Sequence, residues 1–197
     1  MDLLLRGASL VAGRGEAARP ADVAVDGDRI VAVAAPGTLD PDRGTAVADL
    51  DGLVLAPGFI DVHTHYDAQI LWDGDLTPSS WHGVTSVVMG NCGFGVAPTR
   101  PEHRDIIVRT LENVEGMSTD ALDEGIDWCF ETFPEYLAAL DARAKRLNVG
   151  AFLGHTPLRL FVLGGDERPA TAAEVAAMGD ILREAIEAGA IGFSTSR

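Results

Sequence analysis

The sequence predicts an α/β protein: the first half of a parallel (β/α)₈ TIM-type barrel, preceded by a small sheet. Three observations lead to this prediction. Short strands and turns fill residues 1–56, strand-like and helical segments alternate over residues 57–197, and the first alternating strand ends in two histidines. Strands that alternate with helices are typical of a parallel sheet. Barrels of this kind carry their functional residues at the carboxyl ends of the strands.

The first 56 residues are predicted to form a small antiparallel sheet. Runs rich in Val, Leu and Ile are separated by turn residues, and Asp26-Gly27 between two of them signals a hairpin. The predicted strands are 3–11, 22–25, 29–34 and 53–55. A sheet with one apolar face needs a second layer, and no such layer is visible nearby in the sequence.

The remaining residues are predicted to form four strands with helices between them. The predicted strands are 59–62, 85–89, 149–153 and 190–193, and the predicted helices are 78–82, 104–112, 133–146 and 172–188. The last helix has the clearest limits, since Thr171 and Glu174 form a capping box at its start and Gly189 ends it.

His63 and His65 close the first of these four strands, after a turn at Pro57-Gly58. Side chains alternate along a strand, so the two imidazoles point to the same side and can bind one metal ion. An isolated His-x-His more often belongs to a surface turn. Its position after the apolar pair Phe59-Ile60 favours a metal site here.

Cys92 is the best candidate for a third ligand. It follows the second strand in Gly90-Asn91-Cys92-Gly93, beside the end of the first strand, so its thiol can reach the two histidines. A zinc ion bound by His and Cys with one open position is chemically reasonable. The alternative is a small buried hydrophobic cysteine, and Cys129, in an aromatic stretch, is expected only to pack.

Four further residues are candidates for supporting roles. His155 ends the third strand and can be a ligand, the partner of a ligand or a transition-state contact; a structural histidine is the alternative. Asp61 and Asp67 flank the histidine pair and can orient an imidazole. Arg159 can bind a carboxylate or pair with a neighbouring acid.

The length of the chain decides between two architectures. A complete (β/α)₈ barrel takes about 250 residues, whereas residues 57–197 hold only four strand–helix steps. An open flavodoxin-like sheet is one solution. We favour a truncated barrel, because the metal pair on the first strand is not completed by later residues. The predicted domains are therefore residues 1–56 and 57–197.

The composition limits which binding partners and which cellular compartment are expected for this protein. A net charge of −15 argues against nucleic acid as a partner. Two cysteines are too few for a disulfide scaffold, and the N-terminus resembles neither a signal peptide nor a membrane span. A cytoplasmic protein without a membrane partner is therefore expected, and nothing in the sequence indicates its oligomeric state.

Four motifs resemble the amidohydrolase superfamily. The first barrel strand of that superfamily is matched by residues 56–65, Ala-Pro-Gly-Phe-Ile-Asp-Val-His-Thr-His. Residues 83–93, 154–159 and 189–195 narrow the resemblance to the D-aminoacylase branch, the N-acyl-D-amino-acid deacylases. The Asn-Cys-Gly element within residues 83–93 is its most specific part, and the resemblance runs along the whole chain.

The resemblance implies a Zn²⁺-dependent hydrolase that cleaves N-acyl-D-amino acids, small molecules, into a carboxylate and a D-amino acid. It also implies a barrel with a small β-sandwich built from both chain ends. In this branch His63, His65 and Cys92 are metal-site residues. Two further histidines and an Asp that serves as general acid/base come from later strands, beyond Arg197. Residues 1–197 alone are therefore expected to be inactive.

Two alternatives remain open. Hydantoinases and dihydroorotases, which hydrolyse cyclic amides, bridge two metals through a carboxylated lysine on the fourth strand. Lys145 is the only lysine and precedes the third strand, at the opposite face, which disfavours that group. A non-catalytic truncated remnant is the other alternative. The best-known deacylases carry acidic residues where this chain has Tyr66-Asp67. The preferred side chain of the amino-acid substrate is therefore not predicted.

Overall fold

The computed structural model describes residues 1–196, apart from the side chain of Glu115. The chain divides into two units, Met1–Gly58 and a second that begins at Phe59. The assignment of the first unit to a β-sandwich stays a prediction.

The first unit is a five-stranded mixed sheet. Its strands are β1 (Leu3–Leu10), β2 (Arg19–Asp26), β3 (Arg29–Ala34), β4 (Ala46–Asp49) and β5 (Val54–Leu55). They follow the order β3-β2-β1-β4, and β5 also pairs with β1.

The predicted hairpin of the first unit is confirmed, because Asp26 pairs with Arg29 across a two-residue turn. The prediction of a wholly antiparallel sheet was wrong, since β4 and β5 run parallel to β1. β4 escaped prediction because its sequence, Ala-Val-Ala-Asp, is short and contains a single β-branched residue. Nevertheless, its backbone extends the sheet beside β1.

The second unit contains the predicted parallel sheet. Its strands are β6 (Phe59–Asp61), β7 (Val84–Met89), β8 (Asn148–Gly154) and β9 (Gly192–Ser194). They lie in chain order, β6-β7-β8-β9, and each neighbouring pair is parallel. All four carboxyl ends therefore lie at one edge, where the candidate residues follow the strands.

Five α-helices accompany this sheet: α1 (Arg104–Glu115), α2 (Thr119–Gly125), α3 (Phe133–Asp141), α4 (His155–Leu163) and α5 (Ala172–Ala188). The prediction of α5 is confirmed, including its capping box. α3 ends at Asp141 instead of Arg146, and the Lys145 ammonium donates to the carbonyl of Leu140 at that end. α2 and α4 were not predicted, and residues 79–82 form only a single 3₁₀ turn.

The main core lies between the sheet and these helices. Val87 and Met89 of β7 and Leu153 of β8 are fully buried, together with Phe130 and Tyr136 from the helical side. In the described part of the chain, none of the helices combines the length and the hydrophobicity needed to cross a membrane.

Candidate metal centre

The two histidines lie just beyond the end of β6, where the strand pairing continues through Thr64. The Thr64 N–H donates to the carbonyl of Val88 (2.9 Å), and its hydroxyl donates to the same oxygen (2.8 Å). Thr64 is buried, so the residues on either side of it face the opposite way. The rings of His63 and His65 consequently lie together, with 5.4 Å between their centroids.

The third candidate ligand is presented by a tight turn, residues 90–94, which we call the Cys92 turn. Gly90, Cys92 and Gly93 have φ +77°, +56° and +78°, so at three of its residues the turn enters the left-handed region that favours glycine. Glycine is also required for packing at position 90. A Cβ there would lie 2.2 Å from the carbonyl oxygen of Phe152 on β8.

The turn brings the Cys92 thiol to the histidine pair. The distance from His63 Nε2 to Cys92 Sγ is 3.1 Å. One ligand atom from each of His63, His65 and Cys92 lies within 4.8 Å of the others. His63 is exposed, whereas His65 and Cys92 are half-buried. Two imidazole nitrogens and a thiolate are ligands that zinc prefers, and three protein ligands leave a position open.

His155 occupies a different place from the one predicted. It is the first residue of α4, directly after β8, instead of the last residue of a strand. Its Nδ1 lies 3.4 Å from the Thr195 hydroxyl, and its ring meets Phe193 edge-on at 5.8 Å. Among the described residues, the structure gathers His63, His65 and Cys92 into one group, and His155 is not part of it.

The general acid/base and two further histidines of the predicted site are expected beyond Arg197. Arg197 itself lies outside the described residues. The prediction therefore concerns no position in residues 1–196. It stays a prediction, whereas the places of His63, His65, Cys92 and His155 are observed.

The carboxylates of the two candidate aspartates accept hydrogen bonds from backbone N–H groups. The Asp61 carboxylate accepts the N–H of His63 (3.2 Å). Asp67 is buried, and its carboxylate accepts the N–H of Gly90 (3.1 Å), the first residue of the Cys92 turn. The Tyr136 hydroxyl donates to the Asp67 carbonyl (2.9 Å). Burial, together with the negative charge of Asp67, raises the pKa of Tyr136 well above its ordinary value.

One prediction about side chains needs correction, and another stays a prediction. Arg159 donates to the backbone carbonyls of Asp166 and Arg168 and so holds the loop after α4, while its role towards a carboxylate stays a prediction. Cys129 is exposed instead of packed, because its larger neighbour Phe130 fills the core.

Two supporting residues were missed in the sequence. The Asn91 amide donates to the carbonyls of Val88 (2.9 Å) and Thr64 (3.2 Å), and so joins the Cys92 turn to the histidine segment. The only indication of this role in the sequence was a polar Asn between a glycine and a cysteine. The Ser194 hydroxyl contacts the same turn from β9, 101 residues away from Gly93 along the chain.

Comparison with known proteins gives consistent results. Residues 46–197 match the model of the Amidohydrolase family. The chain is 42% identical over 194 residues to the D-aminoacylase of Alcaligenes xylosoxydans xylosoxydans, covering 98% of this chain and 37% of that protein. The N-acyl-D-aspartate deacylase of the same organism is also 42% identical, with 98% and 36% covered. This chain therefore spans about 37% of the length of these relatives.

Solved structures agree with these matches. A crystal structure of D-aminoacylase superposes with a TM-score of 0.81 at 37% identity, covering 98% of this chain and 38% of that one. The N-acyl-D-glutamate deacylase of Bordetella bronchiseptica, complexed with zinc and a phosphonate mimic of the tetrahedral intermediate, superposes with a TM-score of 0.79 at 37% identity. The same shares of the two chains are covered.

Proposed function

Because this chain belongs to the amidohydrolase family, in its D-aminoacylase branch, we propose that the protein is a zinc-dependent hydrolase of N-acyl-D-amino acids. The products are a carboxylate and a D-amino acid. The observation that carries the proposal is the grouping of His63, His65 and Cys92 at the carboxyl edge of the sheet. We further propose that β6–β9 form the first half of a (β/α)₈ barrel and that the first unit contributes to a β-sandwich.

In this proposal His63, His65 and Cys92 hold the zinc ion. Bound zinc lowers the pKa of a water ligand from about 15.7 towards 7 and polarises the acyl carbonyl. The Thr64 and Asn91 hydrogen bonds keep the two ligand segments at fixed separation.

We assign His155 to the substrate side of the site. It begins α4 at the same edge of the sheet, and the Thr195 hydroxyl lies near its Nδ1, so the ring has a polar neighbour that can set its orientation. The proton for the leaving amine comes, by the resemblance, from an aspartate on a later strand, beyond Arg197. Removing such a general acid typically costs about 10² to 10⁴ in rate.

Hydrolysis of cyclic amides has less support. Strand β9 (Gly192–Ser194) carries no lysine that could bridge two metals. Lys145 lies between α3 and β8, where its ammonium donates to backbone carbonyls of Leu140 and Arg143. The position of this lysine favours the branch that uses a cysteine.

The test measures release of free amine from N-acetyl-D-glutamate, N-acetyl-D-aspartate and N-acetyl-D-methionine, each beside its L isomer. It is run with zinc and after chelation, on the 197-residue chain and on the complete product of its gene. We expect the complete product to act on D substrates only with zinc, and the 197-residue chain to be inactive. Turnover of hydantoin without deacylation would contradict the proposed branch. A gene that stops after codon 197, with no activity, would support a non-catalytic remnant.

A further inference from the structure

Ser194 contacts the Cys92 turn from the end of β9, across the intervening strand β8. Its hydroxyl accepts the N–H of Gly93 (3.0 Å) and donates to the carbonyl of Gly90 in a short hydrogen bond. These two backbone groups bracket Asn91 and Cys92. One serine hydroxyl has one proton and two lone pairs, so it can make both bonds at once.

The conformation of the Cys92 turn requires stabilising contacts from outside the turn. A residue other than glycine in the left-handed region costs about 1–2 kcal/mol, and Cys92 is held there at φ +56°. Backbone conformations of this kind persist only where their surroundings impose them. An unconstrained turn would let Cys92 relax to negative φ and carry its thiol away from His63.

Close packing alone does not fix the turn. A Cβ on Gly90 would lie 2.2 Å from the Phe152 oxygen, and a Cβ on Gly154 would lie 2.3 Å from the Phe94 oxygen. These approaches set the height of the turn above β8. The hydrogen bonds from one hydroxyl to Gly90 and Gly93 add a directional constraint on the two residues between them, Asn91 and Cys92.

We propose that Ser194 is a positioning residue that sets the place of the Cys92 thiol opposite His63, and through it the affinity for the metal. The inference rests on the proposed function, since it concerns the same centre. It makes metal affinity depend on the docking of the fourth parallel strand, although that strand supplies no ligand to the group of His63, His65 and Cys92.

The test compares two variants of nearly equal shape, Ser194→Thr and Ser194→Val, in the 197-residue chain. Both side chains are β-branched and suit a strand, and only threonine keeps a hydroxyl. The exposed Ser196 supplies the control variant Ser196→Val. Each protein is titrated with Co²⁺ alone, and the near-ultraviolet absorption of the cobalt–thiolate bond reports binding through Cys92.

We expect Ser194→Thr and Ser196→Val to bind Co²⁺ like the parent chain. Ser194→Val should bind about 10- to 100-fold more weakly, the usual cost of removing a group that orients a ligand. Equal affinity of the Thr and Val variants would overturn the inference. So would a Val variant that fails to fold, as measured by its melting curve, because Ser194 would then act on folding.

The parent chain separates this inference from the proposed function. If the parent chain binds Co²⁺ with thiolate absorption that disappears in Cys92→Ser, the proposed centre stands whatever the Ser194 variants do. If the parent chain shows no such absorption, the proposed centre fails and the role of Ser194 fails with it.

Discussion

Two segments of the second unit each present a free cysteine: the Cys92 turn and residues 126–132, which we call the Cys129 loop. Cys92 is half-buried, and its sulfur lies 3.1 Å from His63 Nε2. Cys129 is exposed, and its neighbours Trp128 and Phe130 contact each other at 5.8 Å between ring centroids. Within the described residues, Cys92 is grouped with two other metal-binding side chains and Cys129 is not.

The difference between the two segments lies in the backbone. The Asn91 amide donates to the carbonyls of Thr64, after β6, and of Val88 in β7. The Asp67 carboxylate and the Ser194 hydroxyl of β9 accept the N–H groups of Gly90 and Gly93, so the Cys92 turn is tied to the region of three strands.

The hydrogen bonds of the Cys129 loop lead to no strand end in the described part of the chain: the Glu135 carboxylate of α3 accepts the N–H groups of Glu131 and Thr132. Arg104 at the start of α1 donates to the Phe130 carbonyl, and the Thr99 N–H donates to the Glu131 carbonyl. A cysteine therefore becomes a candidate ligand through the elements that hold its backbone.

The largest expected effect comes from replacing each cysteine by serine. Cys92→Ser removes the only sulfur from the group of ligand atoms, so zinc affinity should fall at least about tenfold, the lower bound for merely disturbing a ligand's partner. Cys129→Ser should leave zinc affinity unchanged. Zinc retained after dialysis is measured by atomic absorption. Equal zinc in the two variants would make Cys92 a structural residue and remove the basis of the comparison.

The sequence was sufficient to predict that Cys92, and not Cys129, is grouped with the two histidines. It did not show all the contacts that cause this difference. The alternation of strand side chains and the glycines around Cys92 predicted that His63, His65 and Cys92 meet. The alternation is real, but Thr64 maintains it beyond the end of β6 through its bonds to Val88. The ligand assignment itself stays a prediction until metal is measured.

The fold was predictable where local signals agree. The capping box at Thr171 gave α5 its correct limits. α4 was missed because it starts at His155 directly after β8, with no side-chain cap to separate strand from helix. Ser194 could not be predicted as a partner of Gly93, because their contact spans 101 residues and depends on the order of the strands.

The second prediction concerns the packing of the Cys92 turn. Gly90→Ala places a Cβ 2.2 Å from the Phe152 oxygen at φ +77°, and both overpacking and a left-handed backbone are costly. We expect about 2–4 kcal/mol of lost stability, measured by urea unfolding. Gly116→Ala is the matched control, because Gly116 ends α1 at φ +67° with open space around it.

The control should lose only about 1 kcal/mol, since it has the same backbone penalty without the clash. A loss in Gly90→Ala no greater than that in Gly116→Ala would mean that the turn is not pressed against β8.

The third prediction concerns Tyr136, which contacts the Cys129 loop and Asp67, the residue whose carboxylate accepts the N–H of Gly90 in the Cys92 turn. Its ring meets Phe130 of the Cys129 loop edge-on at 5.1 Å, and its hydroxyl donates to the Asp67 carbonyl. Tyr136→Phe keeps the ring and removes this bond, so stability should fall by about 0.5–1.5 kcal/mol at neutral pH. Thermal unfolding of the variant beside the parent chain measures the loss.

At high pH the stability difference between the parent chain and Tyr136→Phe should become smaller. Burial raises the pKa of Tyr136 above its ordinary value of 10.0, so the folded state binds the proton more tightly than the unfolded state. The contribution of this group to stability is complete below pH 10 and is lost as the pH rises through the raised pKa. The parent chain should lose more stability than Tyr136→Phe between neutral pH and pH values above 10. If the free energy of unfolding changed equally with pH in both proteins, the burial of this hydroxyl would be contradicted.

The smallest expected effect is confined to the Cys129 loop. The N–H groups of Thr132 and Glu131 lower the pKa of Glu135 below its ordinary value of 4.5. The stability that this carboxylate contributes is therefore present above pH 4.5 and is lost as the pH falls through the lowered pKa. Glu135→Ala should reduce the hydrogen-exchange protection of the Glu131 and Thr132 amides and make that protection independent of pH in this range.

The control for Glu135→Ala is Glu174→Ala, in the corresponding capping box of α5. There the carboxylate accepts the N–H of Thr171, and its pKa is lowered mainly by the hydrogen bond from Arg168. Each variant should release the amides at its own helix start and leave the other helix protected. The Gly93 amide should keep its protection in both, because Ser194 holds it from β9. If Glu135→Ala also exposed the Gly93 amide, the two cysteine-bearing segments would open together, and the independence on which the comparison depends would be lost.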